Sequence, residues 1–296
     1  MNEEAYTPQV ISTGPFHHDN KNFQILEKYK VRYLENFMRR ARTNLENLVR
    51  IVKALETEIR QCYAETIELD SDEFVTMILL DAAFIIEYFL RDMFPVQWTN
   101  EDRTVIKPWI TARMQLDFLL LENQLPFFIL NDLYQLVLVT DSMYRPFIEV
   151  AFHYFGFLNT QNKPSDSNQF NQIIHFVDLI RIFYLPPPDL SERQPDSRVE
   201  KIYCATKLAE AGLTFKKSES QCYLKLKYHE GGVLEIPRFT IDNTTEIFAR
   251  NLMALEQCHY PTQAYIIDYF LLLDFLCRTT LQISLRNTRD SLLSFA

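Results

Sequence analysis

The chain has 296 residues, enough to bury a sizeable core as one large domain or two, and its 47% hydrophobic and 14% aromatic content argues against a disordered protein. A net charge of −9 without a basic stripe argues against nucleic-acid binding, which depends on Lys and Arg meeting phosphates. There are five glycines, where average usage of about 7% would give about 20. No GxGxxG and no P-loop is present, which argues against a Rossmann or P-loop nucleotide enzyme.

Neither Gly nor Pro occurs from Phe16 to Phe94. From Phe23 to Tyr63 apolar residues recur at helical spacing, through Leu26, Tyr33, Phe37, Leu48, Val52 and Ile59. This predicts one long amphipathic helix or two in series. The cluster Met38-Arg39-Arg40-Ala41-Arg42 falls here and is read as a solvated helix face. Asp70 with Glu73 forms a capping box for a helix from about Ser71 to Asp92. Only Thr76, Asp81, Glu87 and Arg91 interrupt its apolar surface, so it is the expected core.

Trp109 to Val139 is a third apolar segment, which Pro126 should kink or end. Helices are expected over Tyr144–Leu158 and Ile173–Tyr184, separated by a polar loop over 159–172. Pro186-Pro187-Pro188 and the charged stretch to Glu200 read as an extended linker. A helix over Ile202–Ala211 should end at Gly212 as its C′ residue. Cys222, Leu224, Leu226 and Tyr228 then alternate with polar or solvent-facing positions. With Gly231-Gly232 and Val233–Ile236 they predict an antiparallel β-hairpin. Helices resume near Asn243, read as an N-cap with Glu246 at N3, and again over Ala264–Leu285. The expected fold is mainly α, with one small antiparallel hairpin near 222–236. Residues 1–185 form an N-terminal helical region, 186–200 a linker and 201–296 a C-terminal helical region, either separate from the first or continuous with it.

Cys62, Cys204, Cys222, Cys258 and Cys277 are odd in number and never in CxxC. They read as buried free thiols in a reducing compartment rather than a zinc ribbon or disulfide framework. The N-terminus has no secretory h-region. The most apolar late segment, Tyr265–Cys277, is short and carries Asp268 and Asp274. It should therefore pack on the protein, acids toward water or Arg278, rather than span a membrane.

Candidate chemistry is sparse. His17-His18-Asp19 groups ligand types, but adjacent residues rarely coordinate one ion together, and capping and packing is the preferred reading. Glu256-x-x-His259 has no second copy, as a di-metal carboxylate bundle would need. Asp81, Glu87, Asp117 and Glu122 are more simply satisfied by Arg91, Arg113 or the N–H groups of Asn123 and Gln124. Cys258-His259 are helix neighbours about 100° apart, unsuited to a nucleophile–base pair. His175-x-x-Asp178 sits on an amphipathic helix, where a packed His is commoner. Asn243-Thr244-Thr245 is a glycosylation sequon, relevant only in the secretory lumen.

An ordered series of blocks carries a resemblance. It starts with Tyr6-Thr7-Pro8-Gln9-Val10-Ile11-Ser12 and Gly14-Pro15-Phe16-His17-His18, followed by Arg60-Gln61-Cys62-Tyr63-Ala64-Glu65 and the run from Asp72 to Asp81. Leu119 to Phe128 contains Glu122-Asn123-Gln124-Leu125-Pro126. Cys204-Ala205-Thr206-Lys207-Leu208 and Gly232 to Pro237 complete the series. This order resembles the plant-specific domain of unknown function family 247. The resemblance implies a mainly helical domain followed, in longer members, by a C-terminal membrane anchor. It also implies a place in recognition or signalling, some grass members being pollen-side determinants of self-incompatibility. It assigns no enzymatic activity. Pro15, His17, His18, Cys62, Glu65, Asp81, Glu122, Asn123, Gln124 and Pro126 are its motif residues, without a proven role.

Two departures stand out: Asp19 where the family usually has Gly, and Pro261-Thr262-Gln263-Ala264-Tyr265 in place of its usual block. The chain also stops at Ala296 before any anchor. The expectation is a non-enzymatic recognition or signalling module acting through protein partners. It should have no cofactor, metal or nucleic acid, and this chain should be soluble and cytoplasmic, with membrane association only through an anchor it lacks. The alternative is an enzyme of unrecognised type using His17, His18 or the core carboxylates.

Overall fold

The computed structural model describes residues 5–18, 24–140, 144–165, 173–187 and 203–277. Among them lie eleven α-helices and three short strands, the mainly α class expected. Residues 188–200 of the expected linker and 278–285 of the last expected helix lie outside the described residues. The chain groups into two compact units. One comprises Tyr6–Leu158 and Lys163–Ile180; the other comprises Met1–Ala5, Asn159–Asn162 and Arg181–Ala296.

In the first unit the Gly/Pro-free stretch forms two helices, α1 (Gln24–Arg40) and α2 (Leu45–Gln61). The break between them has local causes. Arg42 takes a left-handed conformation with φ 49°, and Asn44 caps α2 by accepting the Asn47 N–H at 2.9 Å. The helix α3 (Ser71–Met93) starts at the expected capping box: Asp70 accepts the Asp72 and Glu73 amides, and Glu73 reaches back to the Asp70 N–H.

The helix α3 is buried nearly all round, from Phe74 to Arg91. Phe89 stacks on Tyr154 at 3.9 Å between centroids and meets Phe118, Phe155 and Phe176 edge-on or tilted. Phe84 and Ile85 are 0% and 1% exposed. Either one replaced by Ala should therefore destabilise the protein by about 2–5 kcal/mol. A urea midpoint indistinguishable from wild type would show that α3 is not the core.

Beyond α3 come α4 (Asn100–Val105), α5 (Pro108–Asp117), α6 (Phe127–Thr140) and α7 (Phe147–Tyr154). The expected break at Pro126 takes the form of a turn-rich segment. The helix α5 ends at Asp117, and buried Pro126 stands just before the first residue of α6, where a missing N–H costs nothing. The helix expected from Tyr144 begins only at Phe147, because Arg145 precedes Pro146 and is biased away from helical backbone. The helix α8 (Phe176–Tyr184) starts at a reciprocal cap: the Asp178 N–H donates to His175 Nδ1, and the Asp178 carboxylate accepts the Ile174 N–H.

In the second unit, α9 (Ala205–Glu210) ends as expected at Gly212, whose φ is +96°. The Leu213 N–H bonds Leu208 O and the Gly212 N–H bonds Ala209 O, closing a Schellman motif. The hairpin is present but smaller than expected. The strands β2 (Lys227–His229) and β3 (Val233–Pro237) are antiparallel, and residues 222–226 form turns instead of strand. An additional strand, β1 (Thr214–Ser218), pairs with β3 in parallel, giving a mixed sheet in the order β1-β3-β2. Thr214-Phe215-Lys216-Lys217-Ser218 has one apolar residue and hence no period-2 signal.

The helices α10 (Thr245–His259) and α11 (Tyr265–Cys277) follow. The cap of α10 differs from expectation: Asp242 Oδ1 accepts both the Thr244 and Thr245 amides and both hydroxyls, leaving Asn243 exposed, while Glu246 pairs with Arg250. A carboxylate one residue earlier outcompetes an amide at a helix N-terminus. The helix α11 buries Ile266, Tyr269 and Leu276 and exposes Asp268, while Arg278 lies outside the described residues. Among the described residues no helix is long and apolar enough to cross a membrane.

Candidate functional site

The segment from Gln9 to Gly14 has no helix or strand of its own, yet Ile11, Ser12 and Thr13 are buried. Its backbone N–H and C=O groups need partners from elsewhere, and four side chains supply them. Asp117, at the end of α5, accepts the N–H groups of Gln9, Val10 and Ile11 at 2.8–3.1 Å. Asn123 accepts the Thr13 N–H at 2.7 Å and donates to Ile11 O and Asp117 O, while the Thr13 hydroxyl donates to Asn123 O. Asp81, on α3, accepts the Gly14 N–H at 2.8 Å and pairs with Lys30 of α1 at 2.6 Å. Lys30, 1% exposed, also donates to Ser12 O at 2.7 Å and pairs with Glu27.

Gln124 fastens the floor of this strap. Its Nε2 donates to Phe118 O and Leu120 O at 2.8 Å, and its Oε1 accepts the Phe176 N–H. Its backbone oxygen accepts the Tyr63 hydroxyl at 3.2 Å. Gly14 lies against that same oxygen with φ +80°, and a Cβ there would sit 2.7 Å from it. Any other residue would be strained and would clash. Burial pushes the Asp117 carboxyl above its ordinary range, against the pull of the three amides and Arg113.

The sequence profile of a family described as "plant protein of unknown function" matches residues 1–288. The chain belongs to domain of unknown function family 247. It is 29% identical over 320 residues to UPF0481 protein At3g47200 of Arabidopsis thaliana, covering 98% of this chain and 65% of that protein. It is 25% identical over 134 residues to the putative UPF0481 protein At3g02645 of the same plant, covering 43% of this chain and 23% of that protein. The chain thus spans less than two thirds of the length of either relative. No solved structure matches it.

Four of the residues that carry the resemblance meet at the strap: Asp81 and Asn123 bond it, Gln124 presents the backbone oxygen that Gly14 lies against, and Pro15 continues it past Gly14, while Pro126 stands just before α6. His17, 17% exposed, lies 3.4 Å from Glu122, a surface contact at the strap's end. His18 is half-buried without joining the anchor, while Cys62 and Glu65 are exposed. The N–H groups of Asn123 and Gln124 serve carbonyls, not the core acids as expected. Two residues that hold the strap carry weaker sequence signals. Lys30 sits on the apolar stripe between Leu26 and Tyr33, where a cation implies a buried partner. Asp117 is a lone acid ending an apolar run.

Burial holds the His17 imidazole below its ordinary 6.5, outweighing the pull of Glu122. The unfolded chain then takes up the proton first, so stability should decline as pH falls through and below 6.5. His17→Gln should flatten that slope in urea titrations at pH 7.5, 6.5 and 5.5. An unchanged slope would place its origin elsewhere.

A second buried cluster lies where α1 meets α3. Glu87, fully buried, is clamped by Arg40 at 2.6 and 3.0 Å and by Arg91 from one turn later on α3. Arg91 also lies 3.5 Å from Asp102, and Arg40 reaches Gln97 and the Tyr144 hydroxyl. Arg40 is thus largely buried, contrary to a solvated helix face. Burial pushes the Asp102 carboxyl up, but the Thr99 N–H and hydroxyl, with Arg91 and Arg32, bring it below its ordinary value.

In the second unit Glu256 is fully buried. It binds Arg181 at 2.9 Å and accepts the first-turn amides Ile266 and Ile267 of α11, whereas His259 and Cys258 are exposed. Glu256 therefore serves as a helix cap and ion-pair partner. None of the five cysteines is in a disulfide, but the expected burial holds only for Cys222: Cys62 and Cys258 are exposed and Cys204 and Cys277 half-buried. Among the described residues no three His, Cys, Asp or Glu side chains are grouped to hold a metal ion.

Proposed function

We propose that the chain is a non-enzymatic recognition or signalling module that acts by binding protein partners. One observation carries this reading: the polar side chains that an enzyme would offer to substrate are spent inside the fold. Asp81, Asp117 and Asn123 hold the strap, Gln124 holds the start of α8, Glu87 holds two arginines, and Glu256 holds Arg181 and the start of α11. A catalytic group needs free valence toward a reacting atom in a concave site. Large apolar side chains stand in solvent instead, Val96 at 91% and Trp109 at 67% exposure. Side chains of this kind serve as anchors at protein interfaces.

The test is affinity purification of the tagged chain from plant tissue, beside the His17→Ala/His18→Ala double variant and a tag-only control. The expected result is a near-stoichiometric partner protein held equally by both forms of the chain. Recovery of nothing beyond the tag-only control would overturn the reading. So would turnover of a plant metabolite by wild type that the double variant abolishes.

A further inference from the structure

Beside the clamped Glu87 the surface opens into a cleft of about 500 Å³, lined by Asn36, Arg39, Arg40, Arg42, Arg91, Gln97, Thr99 and Tyr144. Four of these residues are arginines and none is acidic. That is a local reversal of charge in a chain of net −9. Glu87, behind the wall, neutralises part of Arg40 and Arg91, and Asp102 shares Arg91. Arg39 reaches Asn36 and the backbone oxygen of Glu35, neither of them charged. The Arg42 side chain makes no hydrogen bond or ion pair among the described residues. Among the described residues, two guanidinium groups of the lining, Arg39 and Arg42, thus have no acidic partner.

The helix dipole accounts for part of this arrangement. Arg39 and Arg40 lie in the last turn of α1, where cations are favoured. The same holds for Arg91, in the last turn of α3 and with its Nε 3.5 Å from Asp102. The dipole does not account for Arg42. That residue occupies the left-handed backbone position after α1 with φ 49°, where Gly or Asn is the ordinary choice.

We propose that this cleft binds a small molecule carrying two or more phosphate groups, either free or as the headgroup of a lipid. Guanidinium forks match phosphate oxygens bidentately and, being weakly hydrated, lose little on desolvation. Arg39 and Arg42 offer two such forks, and the Arg40 and Arg91 cations behind them, shared with Glu87, add positive potential, so several phosphates fit the cleft better than one. The Tyr144 hydroxyl and the amides of Gln97 and Asn36 add polar groups for ring hydroxyls. The inference does not depend on the recognition reading, because a phosphate site can exist with or without a protein partner.

The test uses inositol hexakisphosphate as the soluble probe, citrate as a carboxylate control, and vesicles with and without phosphatidylinositol 4,5-bisphosphate. Calorimetry should show saturable binding of the soluble probe that weakens with added salt. Arg39→Ala/Arg42→Ala should weaken it by about tenfold or more, with an unchanged melting temperature, since neither side chain pairs with an acid. Co-sedimentation with the phosphoinositide vesicles, lost in the same variant, would identify a lipid headgroup as the source. Binding of the soluble probe alone would identify a free ligand. The proposal is overturned if neither probe binds up to millimolar concentration, if the double variant binds as wild type does, or if citrate binds equally well.

Discussion

Glu87→Ala is expected to lower unfolding free energy by about 4 kcal/mol, within the roughly 3–5 kcal/mol range for breaking a buried ion pair from one side. Two cations depend on that carboxylate. Arg91 is 4% exposed and Arg40 16% exposed at their side chains, and neither can turn to water without leaving its packing. Arg91 lies over the Tyr33 ring at 4.4 Å, and Arg40 over the Tyr144 ring at 5.4 Å. Those contacts soften the loss without replacing a counter-charge. Glu87→Gln, which keeps one acceptor oxygen, should be milder than Glu87→Ala. Equal stability of Glu87→Ala and wild type in urea titration would remove the cluster from the core.

Asp81→Ala should cost about 3 kcal/mol, at the lower end of the same range, because Glu27 still faces Lys30. The variant also strips the Gly14 N–H of its acceptor. A double-mutant cycle separates the two effects. Lys30→Met combined with Asp81→Asn removes the buried cation and leaves an oxygen for Gly14. It should therefore be more stable than the two single changes sum to, by about 0.5–3 kcal/mol. Strict additivity would mean that Lys30 and Asp81 do not interact.

The parts of this fold that were legible in the sequence are those with a strong local signal. The Asp70–Glu73 capping box, the all-apolar run of α3 and the Gly212 stop each act over a few residues, and each stands where the sequence places it. The turn over 222–226 and the strand β1 were not legible. Alternating residues at 222–228 imitate a strand, and β1 has one apolar side chain and depends on pairing with β3. The strap was illegible for a different reason. Apart from Lys30, 18 residues from Ser12, its partners lie 67 to 112 residues away in the chain, and no periodicity reports a contact of that kind. The family blocks marked Asp81, Asn123 and Gln124 without saying that they serve Gly14, Thr13 and Phe176. The arginine cleft was masked because Met38–Arg42 reads as an ordinary basic helix end until α3 brings Arg91 beside it.

The central claim is that Asp81, Asp117 and Asn123 are architectural, holding an N-terminal strap in the core of the first unit. Backbone amide hydrogen exchange tests it most directly, residue by residue over 9–14 and 74–91. The account predicts that Val10, Ile11, Thr13 and Gly14 exchange as slowly as the buried turns of α3. It also predicts that Asn123→Ala speeds exchange in the strap while α3 stays protected. Strap amides that exchange at the rate of an open chain in the wild-type protein would contradict it.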